Sequence, residues 1–534
     1  MWKKYNHNSG KLVSLILRRD RLRIAVWLIA IVALTLIIAL AYPELASTDH
    51  ERAIMAETMK NPAITAMFGP GYGLEDYHYG AMMGHQMLLF TALGVAIMSI
   101  LLFVRHTRGD EESGRIEMIR SLPAGRLSNL TAATFVMFVV NILLALLVGL
   151  GLAALGIEGI DFSGSMLYGA VLGVTGIFFT AVTALFAQLS ESSRGASGLS
   201  FASLGIFYLV RAIGDVGNET LAWLSPLGWV LRAEVYVNNY WWPVIMTAAA
   251  AVLVMAFALY LNSVRDLGAG IIPSKPGRKN ASPFLKNIFG LALRLQRTSI
   301  IAWSIGMLIL GASYGSVLGD IEGYLESMEL LREMLPLMVG FSLTEQFLTM
   351  LMAVMAMICA VPVILTIFRL RAEEKNRRTE QLFAKSLSRT NMLGSYLLIS
   401  FILSFLTMFL SAVGLWSAGA AFLEEPLLFS TVFNAAMVYL PALWLMMALA
   451  VFFTGCMPNL TIIPWLYLGY SFLVVYMGAL MQFPEWMAKL SPFGNTPQLP
   501  VEEMSYAPVA VITVLAIILI FIGFIGYNKR DIEG

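Results

Sequence analysis

The chain has 534 residues, of which 58% are hydrophobic and 13% charged, with a formal net charge of +1; an ordinary soluble domain carries about 25% charged residues. That balance excludes a large soluble core and places the chain among integral membrane proteins. The two cysteines, Cys359 and Cys456, fall in or beside apolar runs and make neither a disulfide framework nor a metal motif, so they are read as packing residues.

In chain order, the first element is a basic amphipathic stretch at 11–23. Leu12, Leu15, Ile16 and Arg19 stand at helical spacing, which predicts an interfacial helix with one side in lipid and arginines at headgroups. The apolar run after it lacks a small-residue cleavage site and reads as an uncleaved first span rather than a signal peptide. A crossing helix needs about 20 mostly apolar residues. Such runs occur approximately at 24–42, 83–104, 130–155, 164–188, 196–213 and 241–262, then at 299–319, 347–368, 393–418, 429–454, 460–480 and 507–527.

Between the first two runs lies an external segment, 43–82, containing NPAITAMFGP at 61–70 and FGPGYGLEDYHYG at 68–80. Its glycines permit tight turns and its tyrosines can pack, which suits a small structured cap or a gate. Between the second and third runs lies RHTRGDEESGRIEMIRSLPAGR, residues 105–126. It opens with bases, turns acidic and becomes a helix with Ile116, Ile119 and Leu122 on one side. A segment of that kind can dock. Further on, LSPLG at 224–228 precedes the sixth run in a form that suits a turn beside a short re-entrant helix, with structural support the expected role of Ser225 and Pro226. The Gly-, Pro- and base-rich stretch 268–283 reads as a linker.

The second half rewrites the first. LRRDRLRIAVW at 17–27 matches LRLQRTSIIAW at 293–303, and the stretch 283–297 repeats the basic amphipathic opening. Asp110, Glu111, Arg115, Glu117 and Arg126 fall without a gap on Glu373, Glu374, Arg378, Glu380 and Arg389. LSPLG returns as LSPFG at 490–494, and Arg265-Asp266 as Arg530-Asp531. The domains are therefore read as 1–267 and 284–534 around the 268–283 linker. Six spans each makes the repeats parallel rather than inverted, so one chain can imitate a dimer about an axis along the membrane normal. The fold class expected is all-α, with twelve transmembrane helices in two six-helix repeats.

Lys and Arg collect in cytoplasmic loops. With both termini inside, 29 of the 35 basic residues fall in cytoplasmic segments, while 22 of the 34 acidic ones fall in external loops. The remaining twelve acids fall in cytoplasmic segments, leaving none for the membrane interior. Ion-coupled carriers usually keep an ionisable residue at membrane depth, so energy is expected from outside the chain. The chain has no nucleotide site either: the phosphate-cradling G-x-x-x-x-G-K-[ST] is absent, the one Gly-Lys pair being Gly10-Lys11 followed by Leu12. His78, His85 and His106 show no metal spacing, and no nucleophile pairs with a base, so no catalysis, cofactor or nucleic-acid partner is expected of this chain.

Six spans per half, an interfacial helix before the first, and the charged helix carrying Glu111-Glu112-x-x-x-x-Glu117 between the second and third resemble ABC-2 type exporter permeases. In detail the chain is similar to the long twelve-span permeases of the tetronasin-resistance and TetAB multidrug kind, including the NPAITAMFGP loop followed by GYG. The resemblance covers nearly the whole chain on diffuse motifs. It implies a bacterial plasma-membrane exporter of hydrophobic compounds such as antibiotics, powered by two copies of a separate ATPase that binds ATP and Mg. It also implies that Asp110, Glu111, Arg115, Glu117 and Arg126, with Glu373, Glu374, Arg378, Glu380 and Arg389, form two coupling segments whose charges pair with that ATPase. The Gly114/Arg377 and Pro123/Ser386 differences suggest unequal segments. A twelve-span ion-coupled drug carrier is the alternative, and a non-transporting membrane subunit a third reading. The 31 methionines and 31 phenylalanines suit a polyspecific pocket or lipid-facing packing equally well, so no pocket residue is chosen.

Overall fold

A computed structural model describes residues 7–60, 62–121, 123–266, 268–272, 280–318, 341–384, 387–422, 427–476, 478 and 483–531. Leu122, Ser386, the middle of the 268–283 linker and the second external loop up to residue 340 lie outside them. Every regular element among the described residues is helical, and twelve helices are long and apolar enough to cross a membrane. The chain is an all-α, twelve-span membrane protein. It divides into two compact units, Met1–Gly277 and Arg278–Gly534.

In the first unit the spans are α1 (Ser9–Leu45), α4 (Tyr79–Glu112), α6 (Ser128–Ala154), α7 (Phe162–Leu189), α8 (Ser193–Val216) and α11 (Trp242–Val264). Shorter helices stand between them: α2 (Asp49–Thr58), α3 (Pro62–Phe68), α5 (Arg115–Arg120), α9 (Glu219–Ala222) and α10 (Pro226–Leu231). α4 and α7 are the most buried spans, and α7 packs against α4, α6 and α11, while α1 lies on α6.

The second unit has α12 (Ile288–Val317), α13 (Leu343–Lys375), α14 (Arg378–Phe383), α15 (Arg389–Phe422), α16 (Phe429–Met437), α17 (Leu440–Cys456), α18 (Ile463–Tyr476), α19 (Glu485–Lys489) and α20 (Tyr506–Lys529). Its pairings repeat the first unit's: first span on third, second on fourth, fourth on sixth. Of the two free cysteines, Cys359 is buried in this core and Cys456 partly exposed.

Three departures from the expected elements have local causes. The interfacial helix is not separate: α1 runs unbroken from Ser9, with one non-helical residue, Asp20 (φ −115°, ψ 16°), marking a kink. Leu12 and Ile16 turn into the core while Leu15 is 50% exposed, so the expected lipid face is split between protein and surroundings. The tenth span is broken into α16 and α17, because Pro441 supplies no N–H to continue α16 and starts the next helix instead. Span α4 contains two π-helical turns, at Met83–Met87 and Arg105–Gly109, which re-aim side chains at both of its ends.

Candidate functional site

The segment after the second span is built the same way in both units. In unit 1, α4 ends at Glu112, Gly114 takes a left-handed conformation (φ 72°), and α5 starts. In unit 2, α13 ends at Lys375, Arg377 takes the same conformation (φ 57°), and α14 starts. The Gly114/Arg377 difference therefore leaves the two turns alike in backbone. It puts the strain of a left-handed non-glycine residue in unit 2 alone.

The charges around these turns form matching networks. Arg115 reaches Asp110 at 3.1 Å, and Arg378 reaches Glu373 at 3.1 Å. Glu111 is held by Arg108 at 3.1 Å and Arg265 at 3.0 Å; Glu374 is held by Arg371 at 3.4 Å and Arg530 at 2.6 Å. Arg126 donates to the backbone oxygen of Arg265 at 2.9 Å, and Arg389 to that of Arg530 at 2.5 Å. The ends of the second, third and sixth spans of each unit are thus stapled together by corresponding residues.

This geometry changes what those charges can do. The side chains of Asp110, Glu111, Glu373 and Glu374 are 7%, 9%, 7% and 0% exposed, and each already has arginine partners in its own unit. A buried carboxylate costs several kcal/mol to desolvate and needs such partners beside it, and all four find them within their own unit. The outward-facing members are Arg115, Glu117 and Arg126 in unit 1 and Arg378 and Glu380 in unit 2, all exposed, with Arg389 partly exposed. The apolar side of the helix also faces inward: Ile116 is 4% exposed, and Thr379 at the corresponding place is fully buried.

Unit 1 carries an addition that sequence reading missed. Arg19 grips Asp110 with both guanidinium nitrogens at 2.9 and 2.8 Å. Beside it Asp20, 1% exposed, meets His106 Nε2 at 2.8 Å and Arg105 Nε at 3.0 Å. The kink in α1 and the π-turn of α4 bring these groups together. In unit 2 the aligned residues are Leu295, Gln296, Phe368 and Arg369, and only Arg369 joins the network, bonding Glu373 at 2.9 Å. Ionisable groups are therefore buried inside the protein after all, in the last turns of spans and at a kink. The signal was legible as the Asp20–Gln296 mismatch within the repeat.

At the other end of unit 1 the 43–82 segment forms a fixed cap. A capping box of Thr48 and Glu51 starts α2. Fully buried Arg211 of α8 donates to the carbonyls of Thr65 at 3.5 Å and Ala66 at 2.6 Å, at the C-terminal end of α3, and pairs with Asp215 at 3.2 Å. A cation suits the carbonyl end of a helix. His85 is bonded to Gly69 O at 3.1 Å and to Tyr77 Oη at 3.0 Å, and burial pushes the Tyr72 phenol up to about 12. Asp215 and Arg211 thus act as fasteners, and Glu345 caps α13 through Ser342.

The two Ser-Pro motifs are also supports. Ser225 Oγ donates to Phe207 O at 2.7 Å, Pro226 starts α10 rather than ending it, and Ser491 is fully buried. A Cβ on Gly228 would collide with Ala222 O, and one on Gly494 with Ala488 O. Each glycine marks the same close backbone approach.

A tandem pair of six-span helical units, stapled by corresponding residues, defines a multi-pass membrane protein. The family described as "Multidrug efflux system permease Rv1217c, C-terminal domain" matches residues 10–261 and 285–528, one stretch in each half. A relative, "Multidrug efflux system permease protein Rv1217c" of Mycobacterium tuberculosis (strain ATCC 25618 / H37Rv), is 35% identical over 526 residues, covering 98% of this chain and 94% of that protein. The chain belongs to this permease family.

Proposed function

We propose that the chain is the membrane subunit of an ATP-driven exporter of the ABC-2 type, moving hydrophobic compounds, drugs among them, outward across a bacterial cell membrane with both termini cytoplasmic. Two copies of a separate ATPase, carrying ATP and Mg, dock one on α5 and one on α14. The observation that carries the reading is the repeated staple: each docking helix follows a left-handed turn on a rigid ion network, so a push on it moves the ends of three spans together. The multidrug efflux role of the Mycobacterium relative supports the substrate class.

Exposed Arg115, Glu117, Arg378 and Glu380 make the contact. Glu117→Lys combined with Glu380→Lys is expected to lower drug-stimulated ATP hydrolysis by about tenfold, or roughly 1.4 kcal/mol of interface energy, with thermal unfolding unchanged. Unaltered hydrolysis in that double variant contradicts the assignment.

A second reading has one observation in its favour. The buried Asp20–His106 pair, at 2.8 Å, is a carboxylate and an imidazole of the sort that ion-coupled carriers titrate. Collapse of export under an ionophore with ATP preserved would select that carrier mechanism.

A further inference from the structure

At the stapled end of unit 1, a small cleft opens between α5 and the ends of α4, α6, α7 and α11. Four arginines line it, Arg108, Arg120, Arg126 and Arg265, against a single carboxylate, Glu111. Glu111 is taken up by Arg108 and Arg265. Arg120 and Arg126 stand exposed at the mouth, and among the described residues their hydrogen bonds go to the backbone oxygens of Arg126 at 3.4 Å and Arg265 at 2.9 Å, with Glu111 acting on Arg120 only through its charge. Deeper in, the wall has unmet polar atoms. Asn262, 9% exposed, donates to Gln188 Oε1 at 2.9 Å while its Oδ1 has no partner among the described residues, and neither has Arg265 Nε.

The second unit is an internal control. It keeps the staple, with Arg371, Glu374, Arg389 and Arg530 in the corresponding contacts. Two of the cleft's polar residues are replaced there: Phe383 stands where unit 1 has Arg120, and Tyr527, fully buried, stands where unit 1 has Asn262, its ring 5.0 Å from the Arg530 guanidinium. The staple therefore needs neither the extra arginine nor the asparagine, and unit 1 has both.

We propose that this cleft binds the phosphate headgroup of an anionic glycerophospholipid. Four arginines against one carboxylate leave a net positive charge to meet the anion, and guanidinium forks fit phosphate oxygens. The acceptor Asn262 Oδ1 is matched by a headgroup hydroxyl. The lipid, rather than a free phosphate, is favoured by the surroundings: Val264, Ile271 and Ile272, beside the cleft on α11 and the segment after it, are 64%, 44% and 59% exposed and offer a track for acyl chains. Basic pockets between the ends of spanning helices are a recurrent headgroup site. The proposal is independent of what the protein transports.

The test uses the full-length chain in nanodiscs of phosphatidylcholine with phosphatidylglycerol, read by native mass spectrometry. The wild-type chain is expected to retain one phosphatidylglycerol that Arg120→Phe with Asn262→Tyr, which writes unit 2's residues into unit 1, loses by about tenfold. Arg120→Gln alone, a mild surface change, is expected to weaken retention in the same direction, and Arg389→Gln to leave it intact. Equal retention in the unit 1 variants, or equal loss in Arg389→Gln, overturns the site. A thermal shift of the chain in pure phosphatidylcholine with inorganic phosphate, equal to that given by phosphatidylglycerol, overturns the lipid assignment, as does retention of an ATPase subunit at the cleft in place of lipid.

Discussion

At the scale of single residues, chemical identity and position separate two kinds of charge. Glu374 is fully buried between Arg371 and Arg530, whereas Glu380, six residues on, faces outward. Glu374→Gln leaves two arginines facing a neutral group and is expected to cost about 3–5 kcal/mol of stability; Glu380→Gln is expected to stay within about 0.5 kcal/mol. Thermal unfolding in one detergent compares them, and equal stabilities contradict the staple. The turn residues make a second pair. Arg377→Gly removes a left-handed non-glycine residue and should stabilise by about 1 kcal/mol, while Gly114→Arg should destabilise by a similar amount. The register of the repeat placed the ten charged positions opposite one another, but exposure is not legible in one dimension. A glutamate beside an arginine reads the same whether it points at water or at the core.

At the scale of elements, hydropathy located all twelve spans, because twenty apolar residues in a row have few other uses. What it did not locate are the irregularities: the α1 kink at Asp20, the two π-turns of α4, and the break before Pro441. Apolar runs continue across these points, so average hydrophobicity carries no mark of them, and only Pro441 was a visible cue. The irregular points have structural work. The kink and the Arg105–Gly109 π-turn place Asp20 against His106 and Arg105, so Asp20→Leu leaves the buried His106 ring and Arg105 Nε without their acceptor and should lower unfolding stability by about 1–3 kcal/mol. The matching change at Gln296 of α12, Gln296→Leu, removes a buried amide whose Nε2 has no partner among the described residues and should be neutral or stabilising. Both comparisons are read by thermal unfolding of the purified chain, and a reversed order contradicts the account. At the supports, Gly228→Ala and Gly494→Ala force a methyl onto a backbone oxygen and should each cost about 1–3 kcal/mol.

At the scale of the whole molecule, the repeat is the organising fact: span order, pairing of helices, the ion staple and the Ser-Pro-x-Gly supports recur from the first half to the second. The residues that differ lie around the staple rather than in it, with Asp20, His106, Arg120 and Asn262 in the first half answered by Gln296, Arg369, Phe383 and Tyr527 in the second. One half is thus polar and stocked with titratable groups where the other is filled. The repeat was legible from sequence because both copies remain in register; the unequal filling was not, because a mismatch in one dimension does not say which space it occupies. The central claim is that work enters this permease through α5 and α14 from a separate ATPase. Flux of a lipophilic drug in proteoliposomes holding the chain and that ATPase tests it most directly. The account predicts uphill export that requires ATP, survives an ionophore, and falls about tenfold in the Glu117→Lys, Glu380→Lys chain; uphill export by the chain alone on an ion gradient would contradict it.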